Sequence, residues 1–226
     1  MTDQSVFFQH MTSIAKPARR RLPEERPQQI LDAAFTVFGE HGLQGARLED
    51  IAHAAGVAKG TIYLYFPNKE ELFKEMIRST MVTRLEQAEA EIAADTSATI
   101  EAQLRSYVAS WWEYLCCDRF QTVYPLLIGE QARFPELAEF YGREVVLRSR
   151  MLVTGIIERG IARGEFRPHD AETSARILAS MLVSHSLWIG RDVFRKLASR
   201  TSEQVRDEIL EFFLVSIAAP AASTNS

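Results

Sequence analysis

The sequence predicts an all-α protein, in which a small three-helix unit is followed by a larger helical domain. Apolar residues recur at three- and four-residue intervals along most of the 226-residue chain, which is the period of an amphipathic helix. No segment shows the two-residue alternation that is typical of a half-buried strand. Hydrophobic residues make up 46% of the chain and charged residues 25%, so it can bury an ordinary globular core.

The first helix is marked by an apolar stripe that stops at two glycines. Pro27 stands near the first turn, where a missing N–H is tolerated. Gly39 and Gly42 follow the last apolar position of the stripe. We therefore expect this helix to begin near Pro27 and to end near Gly39. Its apolar positions are Ile30, Leu31, Ala34, Phe35 and Phe38.

Two short helices are predicted next, over residues 48–55 and 59–65. Helices joined by so short a turn cross at a steep angle, and the crossing point needs a small residue. Ala52 stands at that point, and Gly56 supplies the left-handed backbone that the turn requires. The pattern predicts a helix-turn-helix, whose second helix enters the major groove of DNA.

Capping residues predict where several later helices begin. Asn68 followed by Glu71 is typical of an N-cap with a reciprocal acid. Asp170 and Ser202 are placed to start the last two helices, and Pro135 is placed to open a long one before them. The chain after residue 80 is therefore expected to be a bundle of longer helices.

Composition excludes several classes of protein. The net charge of −4 argues against a wholly basic nucleic-acid coat. No apolar run approaches the roughly 18–20 residues that span a bilayer. The apolar residues 6–8 precede a basic cluster, which is the reverse of the order in a secretory signal. Cys116 and Cys117 are adjacent and poorly placed for a disulfide, so we expect a cytoplasmic protein.

The third helix offers an exposed polar face that suits DNA. Lysine, hydroxyl and phenol groups match phosphate oxygens and base edges, and this face offers Lys59, Thr61, Tyr63 and Tyr65. Gly60 would permit close approach of the backbone. Lys69 adds a positive charge beside the free N–H groups of the next helix, which suits a phosphate. Spacing alone leaves open a structural hairpin with solvated polar residues.

Residues 56–73 read GVAKGTIYLYFPNKEELF, and this segment resembles the signature of the tetracycline-repressor-like (TetR) family of transcription regulators. The segments ILDAAF at 30–35 and DIA at 50–52 are similar to its first two helices. The short segments RFPEL at 133–137 and ARGEF at 162–166 also resemble family members. The resemblance implies a homodimer with an N-terminal DNA-binding domain and a larger helical domain that binds a ligand and carries the dimer interface.

Two positions depart from the family pattern. Arg47 stands where the family usually has a threonine that caps the second helix, so the cap is lost and a phosphate-binding cation is gained. Glu49 replaces a residue that is often arginine, and its carboxylate would repel phosphate unless it accepts a hydrogen bond from cytosine N4. Carried over by position, the predicted DNA contacts are Lys59, Gly60, Thr61, Tyr63, Tyr65 and Lys69, and Arg47 is added to them as the cation gained at a departing position.

The helical half contains the candidates for ligand binding and dimerisation. Trp111 and Trp112 are neighbours and point about 100° apart, so one can be core while the other meets a pocket or an interface. The predicted ligand-binding residues are Trp111, Trp112, Tyr124, Phe134, Met151, His185 and Trp188. The predicted dimer-interface residues lie on wide apolar faces of the last two helices and are Leu178, Met181, Leu182, Leu210, Phe213 and Leu214.

Signatures of catalysis are missing from the sequence. The five histidines show no metal-ligand spacing, and neither a phosphate-binding loop nor a nucleophile elbow is present. The adjacent cysteines have no visible activating base, which favours buried small residues over a redox sensor. We therefore predict no catalytic residue, no metal and no cofactor.

These patterns divide the chain into four predicted segments. A flexible basic arm covers residues 1–22, in which Arg19, Arg20 and Arg21 either reach an adjacent minor groove or stay solvated. The DNA-binding domain covers residues 23–70, the effector-binding and dimerisation domain residues 71–217, and a disordered tail residues 218–226.

The predicted function is that of a homodimeric regulator without membrane contact. We expect a repressor that a small hydrophobic or aromatic effector, of an identity that the sequence does not give, releases from a palindromic operator in double-stranded DNA. The alternative is a helical small-molecule-binding or enzymatic protein whose helix pair is only structural.

Overall fold

The computed structural model describes residues 26–96, 98–197 and 199–219. Over these residues the chain is helical and contains no strand, so the all-α prediction is confirmed. The predicted basic arm and residues 220–226 of the predicted tail lie outside the described residues. In the described part of the chain, no helix is both long and apolar enough to cross a bilayer.

The N-terminal unit contains four helices in the predicted order. They are α1 (Arg26–Gly45), α2 (Leu48–Ala54), α3 (Lys59–Tyr65) and α4 (Lys69–Ile77). The bounds predicted for α3 are confirmed, and α2 ends one residue earlier than predicted. The first helix runs past Gly39 and is broken at Gly42, where φ is +67°. The three-helix unit with its helix-turn-helix is therefore present as expected.

Local backbone chemistry fixes the turn and the start of α4. Gly56 has φ of +66°, which confirms the left-handed turn between α2 and α3. The Asn68 side chain accepts a hydrogen bond from the N–H of Glu71 at 2.8 Å, so the predicted N-cap is confirmed. The reciprocal role predicted for Glu71 is wrong, because its carboxylate pairs with Lys74 at 2.7 Å.

An apolar centre holds the four helices of this unit together. The rings of Phe38 on α1 and Phe73 on α4 meet edge to face with centroids 5.6 Å apart, and both are fully buried. Ile51 on α2 and Ile62 on α3 are also fully buried. The short helix α3 is therefore held in place by packing on its inner side, while its outer side faces solvent.

The larger domain is a bundle of longer helices. These are α5 (Thr83–Ala94), α6 (Ile100–Leu115), α7 (Asp118–Glu130), α8 (Pro135–Tyr141), α9 (Arg148–Ala162), α10 (Ala171–Ile189), α11 (Asp192–Leu197) and α12 (Ser202–Ile217). Single π-helical stretches, Arg78–Val82 and Gly142–Leu147, join α4 to α5 and α8 to α9 without a break. The short helix α11 has no counterpart among the predicted elements.

Two helix starts in this domain test the predicted caps. Asp170 accepts a hydrogen bond from the N–H of Thr173 at 2.6 Å, which confirms it as the N-cap of α10. The cap of α12 is Thr201, which forms a capping box with Gln204, and not Ser202 as predicted. Ser202 instead accepts a hydrogen bond from the indole N–H of Trp112 at 2.9 Å.

The end of α12 is attached to the turn between α9 and α10. Ala218 forms an isolated antiparallel bridge with Phe166, and the N–H of Arg167 donates to the carbonyl oxygen of Ile217 at 2.9 Å. The first residues of the predicted disordered tail are therefore held against the turn before α10, because these hydrogen bonds pair backbone N–H and C=O groups of both segments.

The helix α7 connects the larger domain to the N-terminal unit. Arg119 pairs with Asp32 of α1 at 2.9 Å and lies 4.9 Å from the ring centroid of Phe35. At the other end of α7, the side-chain amide of Gln44 donates to Glu130 at 2.9 Å. Both ends of α7 are therefore attached to α1.

Candidate functional site

The outer side of α3 carries the predicted DNA contacts. Lys59, Gly60, Tyr63 and Tyr65 are exposed, and Thr61 is half-buried. Arg47 lies exposed at the start of α2 and makes no side-chain cap, as expected from the missing threonine. The seven predicted contact residues occupy α3 and the helix ends on either side of it. Their contact with DNA remains a prediction.

Glu49 binds the two main donors of this surface. Its Oε1 atom lies 2.8 Å from Nζ of Lys59 and accepts a hydrogen bond from the hydroxyl of Tyr63 at 3.0 Å. The first turn of α2 is thereby tied to two successive turns of α3. The carboxylate is therefore a shared partner of both side chains on the outer surface of α3.

These contacts shift the pKa values of all three groups. The hydrogen bonds from Lys59 and Tyr63 lower the pKa of Glu49 to about 2. The carboxylate in turn raises the pKa values of Lys59 and Tyr63. At neutral pH the cluster therefore contains one carboxylate, one ammonium and one neutral phenol.

Lys69 makes contacts that the sequence did not indicate. Its Nζ atom donates to the carbonyl oxygens of Gln44 at 2.9 Å and Ala46 at 3.4 Å. These oxygens lie at the end of α1, where helix carbonyls lack partners. Lys69 therefore joins α1 to α4, and an ammonium group with three donors retains one for a phosphate.

Leu64 is a surface residue that sequence reasoning missed. It is 83% exposed on α3, beside Tyr63 and Tyr65. An exposed leucine on a helix with polar neighbours suits apolar contact with a base, such as the methyl group of thymine. Its position in the helix could have indicated this, because Leu64 comes two residues after the buried Ile62 and so points to the other side of α3.

The larger domain contains a cavity of about 550 Å³ between α6, α7, α9 and α10. Six aromatic rings line it in a continuous series of ring contacts, with successive centroids between 5.0 and 6.2 Å apart. These residues are Tyr107, Trp111, Tyr114, Phe120, Tyr124 and Tyr141. The volume and the apolar wall are typical of a small-molecule site.

Burial changes the chemistry of the phenols in this wall. It raises the pKa values of Tyr107, Tyr114 and Tyr141 above their ordinary range, so all three stay neutral. The hydroxyl of Tyr114 is buried beside Thr80, which donates its own proton to the carbonyl of Met76. Within the described residues, the Tyr114 hydroxyl has no hydrogen-bond partner.

The structure places two of the seven predicted ligand residues, Trp111 and Tyr124, in the cavity wall. The others lie elsewhere. Trp112 points around α6 to Ser202, and the His185 ring contacts the carbonyl of Met181 at 2.8 Å. Phe134 is a half-buried residue just before α8. Met151 and Trp188 are 65% and 55% exposed.

The predicted dimer residues are mostly in the core of the chain itself. Leu178 and Leu182 line the cavity from α10, and the three predicted residues of α12 are buried inside the bundle. Met181 differs from these five, because it is partly exposed. The prediction of a free apolar face is therefore wrong for Leu178, Leu182, Leu210, Phe213 and Leu214.

Other apolar residues on these helices do face solvent. Ile177 and Trp188 on α10 are 49% and 55% exposed, and Phe212 and Val215 on α12 are 70% and 77% exposed. Their spacings of eleven and three residues place each pair on one side of its helix. Since α10 and α12 pack together, exposed apolar residues lie on two neighbouring helices. We call these residues the α10–α12 surface.

The acidic, histidine and cysteine side chains of the described residues form no metal-binding cluster. Over the described ranges, no group of three or more histidine, cysteine, aspartate or glutamate side chains is placed to hold an ion. Cys116 and Cys117 are free and half-buried, and burial raises the pKa of the Cys116 thiol.

Family models match both domains. The model for bacterial regulatory proteins of the tetR family matches residues 30–76. The model for the C-terminal domain of tetracyclin repressor-like proteins matches residues 93–205. Together they cover the helix-turn-helix and most of the helical bundle.

Individual proteins are similar over most of their length. The chain is 29% identical to the transcriptional repressor KstR2 of Rhodococcus jostii, over 86% of this chain and 92% of the repressor. It is 31% identical to the fatty acid metabolism regulator protein of Bacillus subtilis, over 65% and 74% of the two chains. The solved structure of the Bacillus subtilis regulator FadR with stearoyl-CoA is similar at 26% identity and a TM-score of 0.66, covering 84% of this chain and 98% of that one.

Proposed function

The chain belongs to the TetR family of bacterial DNA-binding transcription regulators, and we propose that it is a cytoplasmic homodimeric repressor that leaves a palindromic operator when a small molecule fills its cavity. The outer face of α3 carries this proposal. Its inner residue Ile62 is buried, while Lys59 and Tyr63 are exposed and both contact the carboxylate of Glu49. A rigid helix with displayed donors is what reading a major groove requires.

We assign the DNA contacts to groups of different kinds. Arg47 and Lys69 contact phosphates, and Lys59, Thr61, Tyr63 and Tyr65 contact bases or phosphates, while Gly60 leaves room for the DNA. The exposed side chain of Leu64 meets a thymine methyl group. The carboxylate of Glu49 stays paired with its two donors and sets their direction.

The second copy of the chain docks on the α10–α12 surface. Its four apolar residues replace the buried ones that the sequence indicated. A two-fold axis through this surface would pair α10 and α12 with their copies in a four-helix contact. Dimerisation then places two α3 helices on half-sites that are one helical turn, or a multiple of it, apart.

The effector binds in the aromatic cavity. The structural relative with stearoyl-CoA supports a ligand with a large apolar part, and the ring-lined wall of this chain favours the same property. The wall residues Phe120 and Tyr124 lie on α7, whose ends are attached to α1 through Arg119 and Glu130. A ligand that shifts α7 would therefore shift the N-terminal unit.

DNA binding is tested by selecting sequences from a random duplex library, with a fragment from upstream of the gene as a second source. A salt-sensitive, sequence-dependent gel shift is expected. Lys59→Gln should weaken the shift and reduce the slope of log affinity against log salt by roughly 0.9 for each phosphate that the lysine neutralises. Arg143→Gln is the matched control, because Arg143 is also an exposed cation paired with a glutamate.

The outcomes separate the two interpretations of the helix pair. If the wild-type protein gives no such shift at low salt, the helix pair is only structural. If Lys59→Gln and Arg143→Gln both leave affinity and salt slope unchanged, the role given to Lys59 is wrong.

The dimer surface is tested by sedimentation of Phe212→Glu. A charge in the centre of an apolar contact should shift the protein to monomer. Leu64→Glu is the control, because Leu64 is just as exposed but lies on α3. A dimer that survives Phe212→Glu contradicts the proposed interface.

A further inference from the structure

The wall of the cavity has an uneven distribution of charge. Arg150 on α9 and Arg176 on α10 contribute to it, together with Ser149, Ser180 and Ser184. Among the described residues that form the wall, none is an aspartate or a glutamate. The polar part of the wall on α9 and α10 is therefore cationic, while the aromatic series lies on α6, α7 and α8.

Both guanidinium groups keep most of their donors available. Arg150 lies 3.4 Å from Glu172, and its side chain is 35% exposed. Arg176 donates to the hydroxyl of Thr173 at 3.4 Å, which is a long hydrogen bond. Each guanidinium has five N–H donors in a planar fork that matches a carboxylate or a phosphate. One distant partner leaves most of that fork for a ligand.

The rest of the wall requires an apolar ligand body. Six aromatic rings and aliphatic residues such as Ile128 and Val153 surround the space. A strongly hydrated polar ligand would lose its water there without compensation.

We propose that the effector is an amphipathic anion. Its apolar body lies against the aromatic series, and its carboxylate or phosphate group binds Arg150 and Arg176 at the α9–α10 side. This inference rests on the proposed function, since it names the chemical class that the effector site accepts. A free carboxylic acid and a coenzyme A thioester share this chemistry and differ in where the negative charge lies.

Calorimetry on the full chain tests the preference for an anion. Dodecanoate, dodecanol and dodecylamine share one body, and naphthylacetate with naphthylethanol provides a ring-shaped pair. We expect each carboxylate to bind about tenfold more tightly than its alcohol, because a hydrogen bond to a charged group exceeds a neutral one by about that factor. Dodecanoyl-CoA distinguishes the thioester from the free acid.

The double variant Arg150→Gln with Arg176→Gln should remove the preference while the alcohols bind as before. Arg143→Gln is the control and should keep it, because Arg143 lies outside the cavity wall. Thermal unfolding of each variant checks the fold.

The inference is overturned if alcohols or amines bind as tightly as the anions, if none of the three anionic probes binds, or if the double variant keeps the preference. The DNA shift without ligand is measured on the same samples. A normal shift with no anion preference would contradict this inference and leave the proposed function standing.

Discussion

The helix-turn-helix unit and the cavity are built in opposite ways. The helix-turn-helix unit has exposed polar side chains around a buried apolar core, and its functional residues lie between Arg47 and Lys69. The second uses apolar groups around an open interior, and its wall residues run from Met81 to Leu187. A surface for DNA can therefore be encoded locally, whereas a ligand cavity depends on how distant helices pack.

Replacing a buried phenylalanine by alanine should lower stability by different amounts in the two regions. Phe73→Ala should cost about 3–5 kcal/mol of unfolding free energy, because Phe73 is fully buried against Phe38. Phe120→Ala should cost at least ~1 kcal/mol less, because one side of that ring borders the cavity and makes fewer contacts. Urea unfolding followed by circular dichroism measures the unfolding free energy of both variants. Equal decreases would contradict the difference between a fully packed core around Phe73 and a cavity beside Phe120.

The next effect concerns a hydroxyl that lacks a partner. Tyr114→Phe should raise the unfolding free energy by about 1 kcal/mol without ligand, since it removes a buried polar group that makes no hydrogen bond among the described residues. Tyr63→Phe is the comparison in the other region, where the hydroxyl removed is an exposed one bonded to Glu49. Thermal melts of both variants measure this, and a destabilised Tyr114→Phe would show that the hydroxyl is already satisfied.

Gly60→Ala should separate stability from DNA binding. A Cβ at this helical position meets no atom within 4 Å, so alanine should stabilise the protein by about 0.5–1 kcal/mol. The same methyl group should weaken DNA binding if the duplex approaches the backbone there. Melting and gel-shift measurements on one sample test this. A variant that gains stability and keeps its affinity would remove Gly60 from the contact surface.

The smallest effect is the pH dependence of the Glu49 cluster. The pKa of Glu49 falls from its ordinary value of 4.5 to about 2, so its stabilising contribution is complete above the ordinary value and is lost as pH falls through the lower one. The group is exposed, so the change in stability is small. Carboxyl titration by NMR should give a midpoint near 2, and a midpoint near 4.5 would show that the contacts with Lys59 and Tyr63 do not persist in solution.

The sequence predicted the first region well because its signals are local. The bounds of α3, the left-handed Gly56 and the Asn68 cap depend on a few neighbouring residues, and all three are confirmed. The pairing of Glu49 with Lys59 and Tyr63 was missed, since it depends on how closely α2 and α3 pack. The contacts of Lys69 with the end of α1 were missed for the same reason.

The second region could not be predicted residue by residue. Apolar periodicity shows that α10 and α12 have wide apolar faces, but not which side meets the core. On α12, Leu214 lies inside while Phe212 and Val215 lie outside, and the packing that decides this is visible only in the structure. The many aromatic residues of this half indicated an apolar cavity. Trp112 and Met151 nevertheless lie outside its wall, because their positions around α6 and α9 point their side chains elsewhere.

The coupling between the two regions is tested most directly by the affinity for operator DNA with and without saturating dodecanoate. Fluorescence anisotropy of a labelled operator should show binding weakened by about 5- to 150-fold, with DNA weakening dodecanoate binding by the same factor. The variant carrying Arg150→Gln and Arg176→Gln should show a much smaller effect. An operator affinity that stays the same while dodecanoate occupies the cavity would contradict a regulator in which the two sites are coupled.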